Sequence, residues 1–546
     1  MRVRQIAIVR HHWRLLALVF PLLSGVLSAR ANVYATDIKL NGSTNNAAIL
    51  LSSPVAISYI LNEPASAGVC LQVLSGATVV WTNAVAAGAA AGSNCVMWGG
   101  TNQAGQNAPA GVYEVRITAA ATGHPAWTNI TDDSANFFIG DPAGIAVNKN
   151  TNSPFFGRVF VGNPATPQTT PIGIYKFNAD GSPAEEGSLS QTSYPWSGYT
   201  FSPWKIAVAQ DDTVYINDWS QGGVVIAFDE TISTNYVTVL DTCNYPYPSA
   251  LLSGPFVTGG GLNKQVWMAD ANINGSSEGV VRWNVTADGV VAAGDTGAVV
   301  VGISPTGLDL SAYDVAVDGS SNIYVIQCLD GFLNPSNYYQ LPRLFAFPPY
   351  AGQPVLTTNW SVTSLDYSLE NAAGVAVDPT GQWVAVAVEG YGNGSGNPFQ
   401  LQNGAVNIYR ASDGSLVTRL GAGTNHTMLD VAWDLAGNLY ATDLNASVWR
   451  AYSPPGANQA TTVAVPIIQI YDSFLQPSLA PTAGPVPPAW QMTFTLQGQA
   501  SVAYTIESST DLINWTPVAT NYDVVSLRTI TVPASDTACF FQAVIP

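Results

Sequence analysis

The chain is poor in charge. Only 10% of its 546 residues are Asp, Glu, Lys or Arg, whereas 47% are apolar, so there is ample material for cores and the low charge is not the low-hydrophobicity signature of disorder. Bases are scarcest, with 18 Lys and Arg against 36 Asp and Glu. Five of the bases are arginines within residues 1–31, a segment without any acid, and setting it aside leaves 13 bases against 36 acids, a net charge of −23. A nucleic acid or an anionic membrane needs a basic face, so both are excluded as main partners. Histidine is nearly absent: only His124 and His426 lie beyond residue 31, which excludes a three-histidine zinc site. The five cysteines form no C-x-x-C pair. Helical periodicity is almost missing, and no apolar run approaches the ~20 residues of a membrane span. The mature chain is therefore expected to carry no transmembrane segment.

What is present starts with a leader-like N-terminus. A basic stretch to Arg14 precedes the apolar run 15–27, and Ala29-Arg30-Ala31 gives an A-x-A cleavage pattern. Residues 1–31 are read as a secretory signal peptide, which places the protein in a secreted, periplasmic or cell-surface location. Export favours a disulfide, expected between Cys70 and Cys95 in strand-like contexts of one domain.

The rest alternates short β-branched and aromatic runs with Gly, Pro, Asn and Asp, the pattern of an all-β chain. Residues 32–140 have the size of an immunoglobulin-like sandwich. Toward the end of this unit stand Trp98-Gly99-Gly100, then Pro109-Ala110-Gly111-Val112-Tyr113. These W-x-G and P-x-G-x-Y elements resemble the FlgD-like Ig domain of bacterial secreted proteins. The resemblance implies a spacer or assembly module in which Trp98 and Tyr113 fill the space between two sheets.

Residues 141–475 repeat. Second-strand markers fall at Phe160, Tyr215, Trp267, Tyr324, Val384 and Tyr440, at intervals of 52 to 60 residues, and third strands end in Phe177, Phe228, Trp283, Phe347, Tyr409 and Tyr452. First strands are read at 144–147, 205–208, 314–317, 374–377 and 430–433, and more weakly at 260–262. This period in an all-β chain predicts a six-bladed β-propeller. The runs from Val315 to Tyr324 and from Val431 to Tyr440 resemble NHL-type and gluconolactonase-like propellers. Residues 476–488 hold five prolines and read as a linker. Residues 489–546 resemble a C-terminal β module of Verrucomicrobia and Planctomycetes secreted proteins, a small sandwich-like unit.

In such a propeller, second-strand ends and first-strand starts share one rim. Three residues past the markers stand Asn163, Asp218, Asp270, Gln327 and Asp443, with Glu389 displaced by two in the fifth repeat; first-strand starts add Lys205, Asp314 and Asp430, and His426 lies just upstream of the last. Such a rim is a candidate ligand site for a carbohydrate or protein. Asp218, Asp270 and Asp443 are candidate oxygen ligands for Ca²⁺ or Mg²⁺. The aromatics Tyr194, Trp196, Tyr199, Phe201 and Trp204 are a candidate sugar-stacking platform. The leading expectation is a non-catalytic binding or scaffolding protein. The alternative, implied by the gluconolactonase-like resemblance, is a metal-dependent hydrolase or lyase. The sequence leaves the oligomeric state open.

Overall fold

The computed structural model describes residues 32–546, apart from 86–88, 133, 165–169, 185–193, 197–201, 219–222, 233–234, 242–253, 270–278, 303–311, 328–342, 364–371, 391–402, 423–425, 473–477, 487–490, 498–502, 511–512, 524–527, 534–539 and 545–546. The proposed signal peptide thus lies outside the described residues. Every described regular element is a strand, and none of the described residues forms a helix long and apolar enough to cross a membrane.

Six sheets follow the repeat. Blade 1 contains Ile145–Val147, Val159–Asn163 and Gly173–Phe177; blades 2 to 5 each have four antiparallel strands in sequence order, opening with Ile206–Val208, Phe256–Thr258, Ala312–Val317 and Ala372–Val377. Blade 6 has Met428–Trp433, Leu439–Asp443 and Val448–Ser453, and its fourth strand is the earlier segment Thr128–Asn129. The six innermost strands neighbour one another in a closed ring, with blade 6 against blade 1. Both ends of the propeller chain meet in one blade, so its closure is held by backbone hydrogen bonds and not by side-chain packing alone. The aromatic markers sit where the period put them: Phe160, Tyr215, Tyr324 and Tyr440 are buried between blades, because a blade twisted about the axis needs large side chains to fill its wider outer part.

In the third blade the innermost strand is Phe256–Thr258, not 260–262. Residues 259 and 261 have left-handed φ angles of 80° and 58°, and Leu262 is 72% exposed. The Gly-Gly-Gly run is the turn after the strand, since glycine adopts that conformation without steric cost.

The N-terminal unit is a sandwich. Ala35–Leu40, Val55–Leu61 and Gly92–Trp98 form one sheet; Ala47–Leu50, Gly111–His124, Gly68–Ser75 and Thr78–Val85 belong to the other. Trp98 and Tyr113 lie between the sheets, buried, with ring centroids 5.6 Å apart, and the Tyr113 hydroxyl donates to the Pro109 carbonyl at 2.6 Å. The second sheet is completed from beyond the propeller. Gly456–Val463 pairs antiparallel with Gly111–His124, and Ile468–Tyr471 pairs with Gly111–His124 and, in parallel, with Ala47–Leu50. Residues 456–471, expected in the propeller, therefore belong to the sandwich, where Ile468 and Ile470 enter the core. The sandwich and propeller touch through buried polar contacts: Asn438 Nδ2 donates to Asn32 O at 2.9 Å, and the Tyr34 and Tyr440 hydroxyls lie 3.4 Å apart.

The expected disulfide does not form. Cys70 and Cys95 are free thiols on different sheets of the sandwich. Leu71 next to Cys70, and Trp98 three positions from Cys95, point into the core, and strand alternation turns both cysteines outward on opposite faces. Two sheets pack ~10 Å apart, beyond the reach of a disulfide.

The expected linker also contains a strand. Ser478–Val486 pairs with Gln491–Gln497, and the register shifts beside Pro481. It is the edge of its sheet, in the order Ser478–Val486, Gln491–Gln497, Arg528–Pro533, where a proline's missing N–H costs no ladder bond. Thr516–Asp523, Ala503–Ser509 and Phe540–Val544 form the second sheet of this C-terminal unit.

Candidate functional site

The starts of the innermost strands build a node across the channel. Lys205 is buried, and its Nζ donates to Ala373 O at 2.7 Å, Leu429 O at 2.8 Å and Asp430 Oδ1 at 2.8 Å, using all three protons. Asp430 Oδ2 accepts the Ile145 N–H of blade 1, and Asp314 Oδ2, 4.0 Å from Lys205 Nζ, accepts the Val375 N–H of blade 5. Burial raises both carboxyls above the usual range, with Lys205 opposing. A second layer of Ala143, Trp204, Ala373 and Leu429 packs beside this node. Lys205, Asp314 and Asp430 thus fasten five blades together, and all three Lys205 protons are consumed in doing so.

The second-strand ends differ from one another. Asn163 is buried and structural: its Oδ1 accepts the Asp141 N–H and its Nδ2 donates to Pro171 O at 2.7 Å. Asp218 accepts the Tyr194 hydroxyl at 2.8 Å. Gln327 is buried at the end of its strand. Asp443 is fully buried between two nitrogen-bearing side chains, with His426 Nδ1 at 2.6 Å and Arg450 Nε at 3.0 Å from its Oδ2. Burial works to raise its pKa but is outweighed by the adjacent His426, the Thr427 N–H and Arg450, so it stays below the ordinary carboxylate range. Glu389, half-buried on blade 5, is pushed up to about 7 by burial, with Lys205 pulling the other way.

Glu389 and His426 are neighbours on adjacent blades. Gly404 lies between their backbones: its N–H donates to His426 O at 2.9 Å, and a side chain at 404 would collide with the carbonyls of both. One stretch of rim therefore holds a carboxyl that burial pushes up to about 7 and an imidazole whose Nδ1 lies beside a buried carboxylate. His426 retains 17% side-chain exposure.

The expected cation site is only partly covered by the described residues. Asp218 and Asp443 sit on different blades with other partners, Asp270 lies outside the described residues, and among the described residues no group of three His, Cys, Asp or Glu side chains could hold a metal ion. The aromatic platform is mostly packing. Tyr194 and Trp196 stack with Tyr236 and Phe228 over blade 2, Trp204 is buried beside the channel node, and Tyr199 and Phe201 lie outside the described residues. Arg450 was not foreseen. Its signal is a base inside an otherwise buried strand, Val448–Ser453, which requires an acid partner.

No protein-family model matches the chain, and no curated protein matches it. Solved structures do. A glucose dehydrogenase aligns over 60% of this chain and 99% of its own, at 10% identity and a TM-score of 0.36. The calcium structure of a Trichoderma reesei carbohydrate-active enzyme of family AA12 aligns over 61% and 97%, at 12% identity and a TM-score of 0.36. The soluble aldose sugar dehydrogenase of Escherichia coli aligns over 60% and 99%, at 12% identity and a TM-score of 0.34. All three of these proteins are named as catalysts, at odds with the expectation of a non-catalytic binder. Likeness at this level assigns no activity, which has to come from the rim itself. In architecture the chain is an all-β protein built on a six-bladed propeller.

Proposed function

We propose that the chain is an enzyme performing acid–base chemistry, elimination or hydrolysis, on a hydroxyl-bearing substrate of carbohydrate type at the rim where Glu389 and His426 meet. The observation that carries this reading is the pair itself: two titratable groups on adjacent blades, one tuned to about 7 by burial and one backed by a buried carboxylate. Catalytic acids and bases work best with pKa values near the operating pH, and paired groups in contrasting environments divide the two roles.

His426 Nδ1 lies 2.6 Å from Asp443 Oδ2, and a neutral imidazole that keeps its proton on Nδ1, toward that carboxylate, presents Nε2 as the proton acceptor. Asp443, kept ionised by Arg450, stabilises the imidazolium that forms. Protonated Glu389 then gives its proton to the departing oxygen. No step runs through a divalent ion, because the described carboxylates do not converge on one point. We also read residues 1–31 as a leader that exports the protein, and the sandwich as a FlgD-like spacer. The core position of Trp98 and Tyr113 supports the second reading; a mature mass beginning at Asn32 tests the first.

The test of activity uses the processed full chain and a panel of uronate oligosaccharides and aldonolactones. Elimination is read by the ultraviolet absorbance of the unsaturated product, and hydrolysis by acid release. His426→Ala and Glu389→Gln should each lower kcat by about 10²–10⁴-fold, and kcat should fall as pH rises above 7 and Glu389 loses its proton. Absence of turnover across the panel, or variants as active as the parent, defeats the reading. Oxidation of an aldose with an added electron acceptor would replace elimination by redox chemistry at the same rim.

A further inference from the structure

At the other end of the channel the chemistry is reversed. Below the Lys205 node the channel opens into a cavity of about 140 Å³ whose walls carry Val147, Val208, Val257, Val315, Val377 and Val431 and whose inner end is closed by Lys205, Asp314 and Asp430. Lys149, two residues past the end of Ile145–Val147, stands at its far mouth. There the cavity joins a groove of about 440 Å³ that Lys149 shares with Arg282, Trp267 and Tyr350.

Two of the chain's few bases thus meet at one opening. Arg282 lies against two rings, 5.3 Å from the Trp267 centroid and 4.9 Å from that of Tyr350. The stacking fixes the plane of the guanidinium and leaves its N–H edge for a ligand. Neither Arg282 nor Lys149 forms an ion pair or side-chain hydrogen bond with another described residue. Lys149 is exposed to solvent but ringed by protein. The protein packed around it pushes its ammonium below the ordinary lysine range, with Asp434 and Asp378 opposing.

The acids at this mouth are spent on their own turns. Asp378 Oδ1 accepts the Gln382 and Trp383 N–H groups and its Oδ2 accepts Thr380. Asp318 accepts the Ser320 and Asn322 N–H groups, the Asn322 amide and the Tyr324 hydroxyl. Asp434 is occupied by Asn438 and Tyr440. The free donors are cationic, and behind them a belt of valines leads to the Lys205, Asp314 and Asp430 node at the inner end of the cavity.

We propose that this mouth binds a small organic carboxylate: the carboxylate lies between Lys149 and Arg282, and an apolar body of roughly the size of a benzene ring, which a cavity of ~150 Å³ admits, enters the valine-lined channel. The site is independent of the Glu389–His426 rim and lies on the opposite face. It takes an anion with a hydrophobic tail, whereas the rim reading requires a hydroxylated substrate.

Titration calorimetry of the processed full chain with benzoate tests it, with benzyl alcohol as the uncharged match. Benzoate should bind at one site per chain. Lys149→Met and Arg282→Gln should each weaken it at least tenfold, Lys149→Arg should retain binding, and Glu389→Gln should leave it unchanged. Circular dichroism of each variant checks folding, and Lys149→Met, at an exposed turn, keeps the test valid if Arg282→Gln misfolds. No binding of benzoate at tens of millimolar, equal binding of benzyl alcohol, or parent-like binding by Lys149→Met would overturn the proposal.

Discussion

Lys205 and Lys149 stand at the two ends of one channel and have opposite fates. Lys205 gives all three protons to protein acceptors on blades 5 and 6 and neutralises a buried carboxylate. Lys149 makes no hydrogen bond with its side chain to any described residue and stands at an open mouth. The same side chain is a rivet in one place and a free donor in the other. A lysine therefore reveals its role only when its hydrogen bonds are counted: a buried one whose protons go to protein acceptors holds the fold, and an exposed one whose protons meet only water is open to a ligand.

The strongest test of this contrast is Lys205→Met. It leaves Asp430 and Asp314 buried without their cation and two carbonyls without a donor, and is expected to destabilise the chain by about 3–5 kcal/mol, measured by denaturant unfolding. A cost below 1 kcal/mol would mean that the blades close without the node.

Next comes pH, which probes the buried acid of the far mouth. Asp434 is raised to about 6 by burial, against the hydrogen bonds of Asn438. The folded state holds this proton more tightly than the unfolded chain, so the contribution is fully present below pH 4 and disappears as pH rises through 6. Glu389, near 7, acts in the same direction. Stability should fall by on the order of 3 kcal/mol between pH 4 and 7.5 from Asp434 alone. Asp443, with its lowered pKa, works against this only at the acid end. A melting temperature that rises steadily from pH 5 to 7.5 would contradict the assignment.

Smaller effects sharpen the comparison. Tyr194→Phe removes one donor from Asp218 and should cost about 1 kcal/mol; no change would free Asp218 as a site residue. Lys149→Met should change stability by no more than ~0.5 kcal/mol. If it destabilises as much as Lys205→Met, Lys149 is a second rivet and the far mouth is structural.

Much of the fold was legible because blades repeat. The aromatic at each second strand and the aromatic closing each third strand mark a geometric need that recurs every 52 to 60 residues, so single positions such as Phe160 and Tyr452 fell in the right strand. The weak third repeat misled because a glycine run resembles the end of a strand as well as its turn. Residues 456–471 were misplaced for a different reason. Strand alternation tells which face is buried, not which sheet receives it, and pairing with Gly111–His124 is a contact across the whole propeller. At the site, Lys205, Asp314 and Asp430 were rightly placed at first-strand starts, but their partners lie on other blades, which no local pattern encodes. The Glu389–His426 neighbourhood likewise depends on how blades 5 and 6 abut. Arg282 escaped notice because cation–ring stacking has no spacing signature.

The return of the chain to the sandwich has a consequence for biogenesis. Gly111–His124 leaves one long edge without a partner until Gly456–Val463 arrives, and the whole propeller is synthesised in between. During that interval the nascent protein displays an open strand, the kind of template on which chains join one another. Folding from the N-terminus onward cannot finish the first domain first. The propeller has to bring its two ends together before the sandwich can be sealed, so a defect in blade closure would emerge as aggregation through a domain that contains no defect of its own.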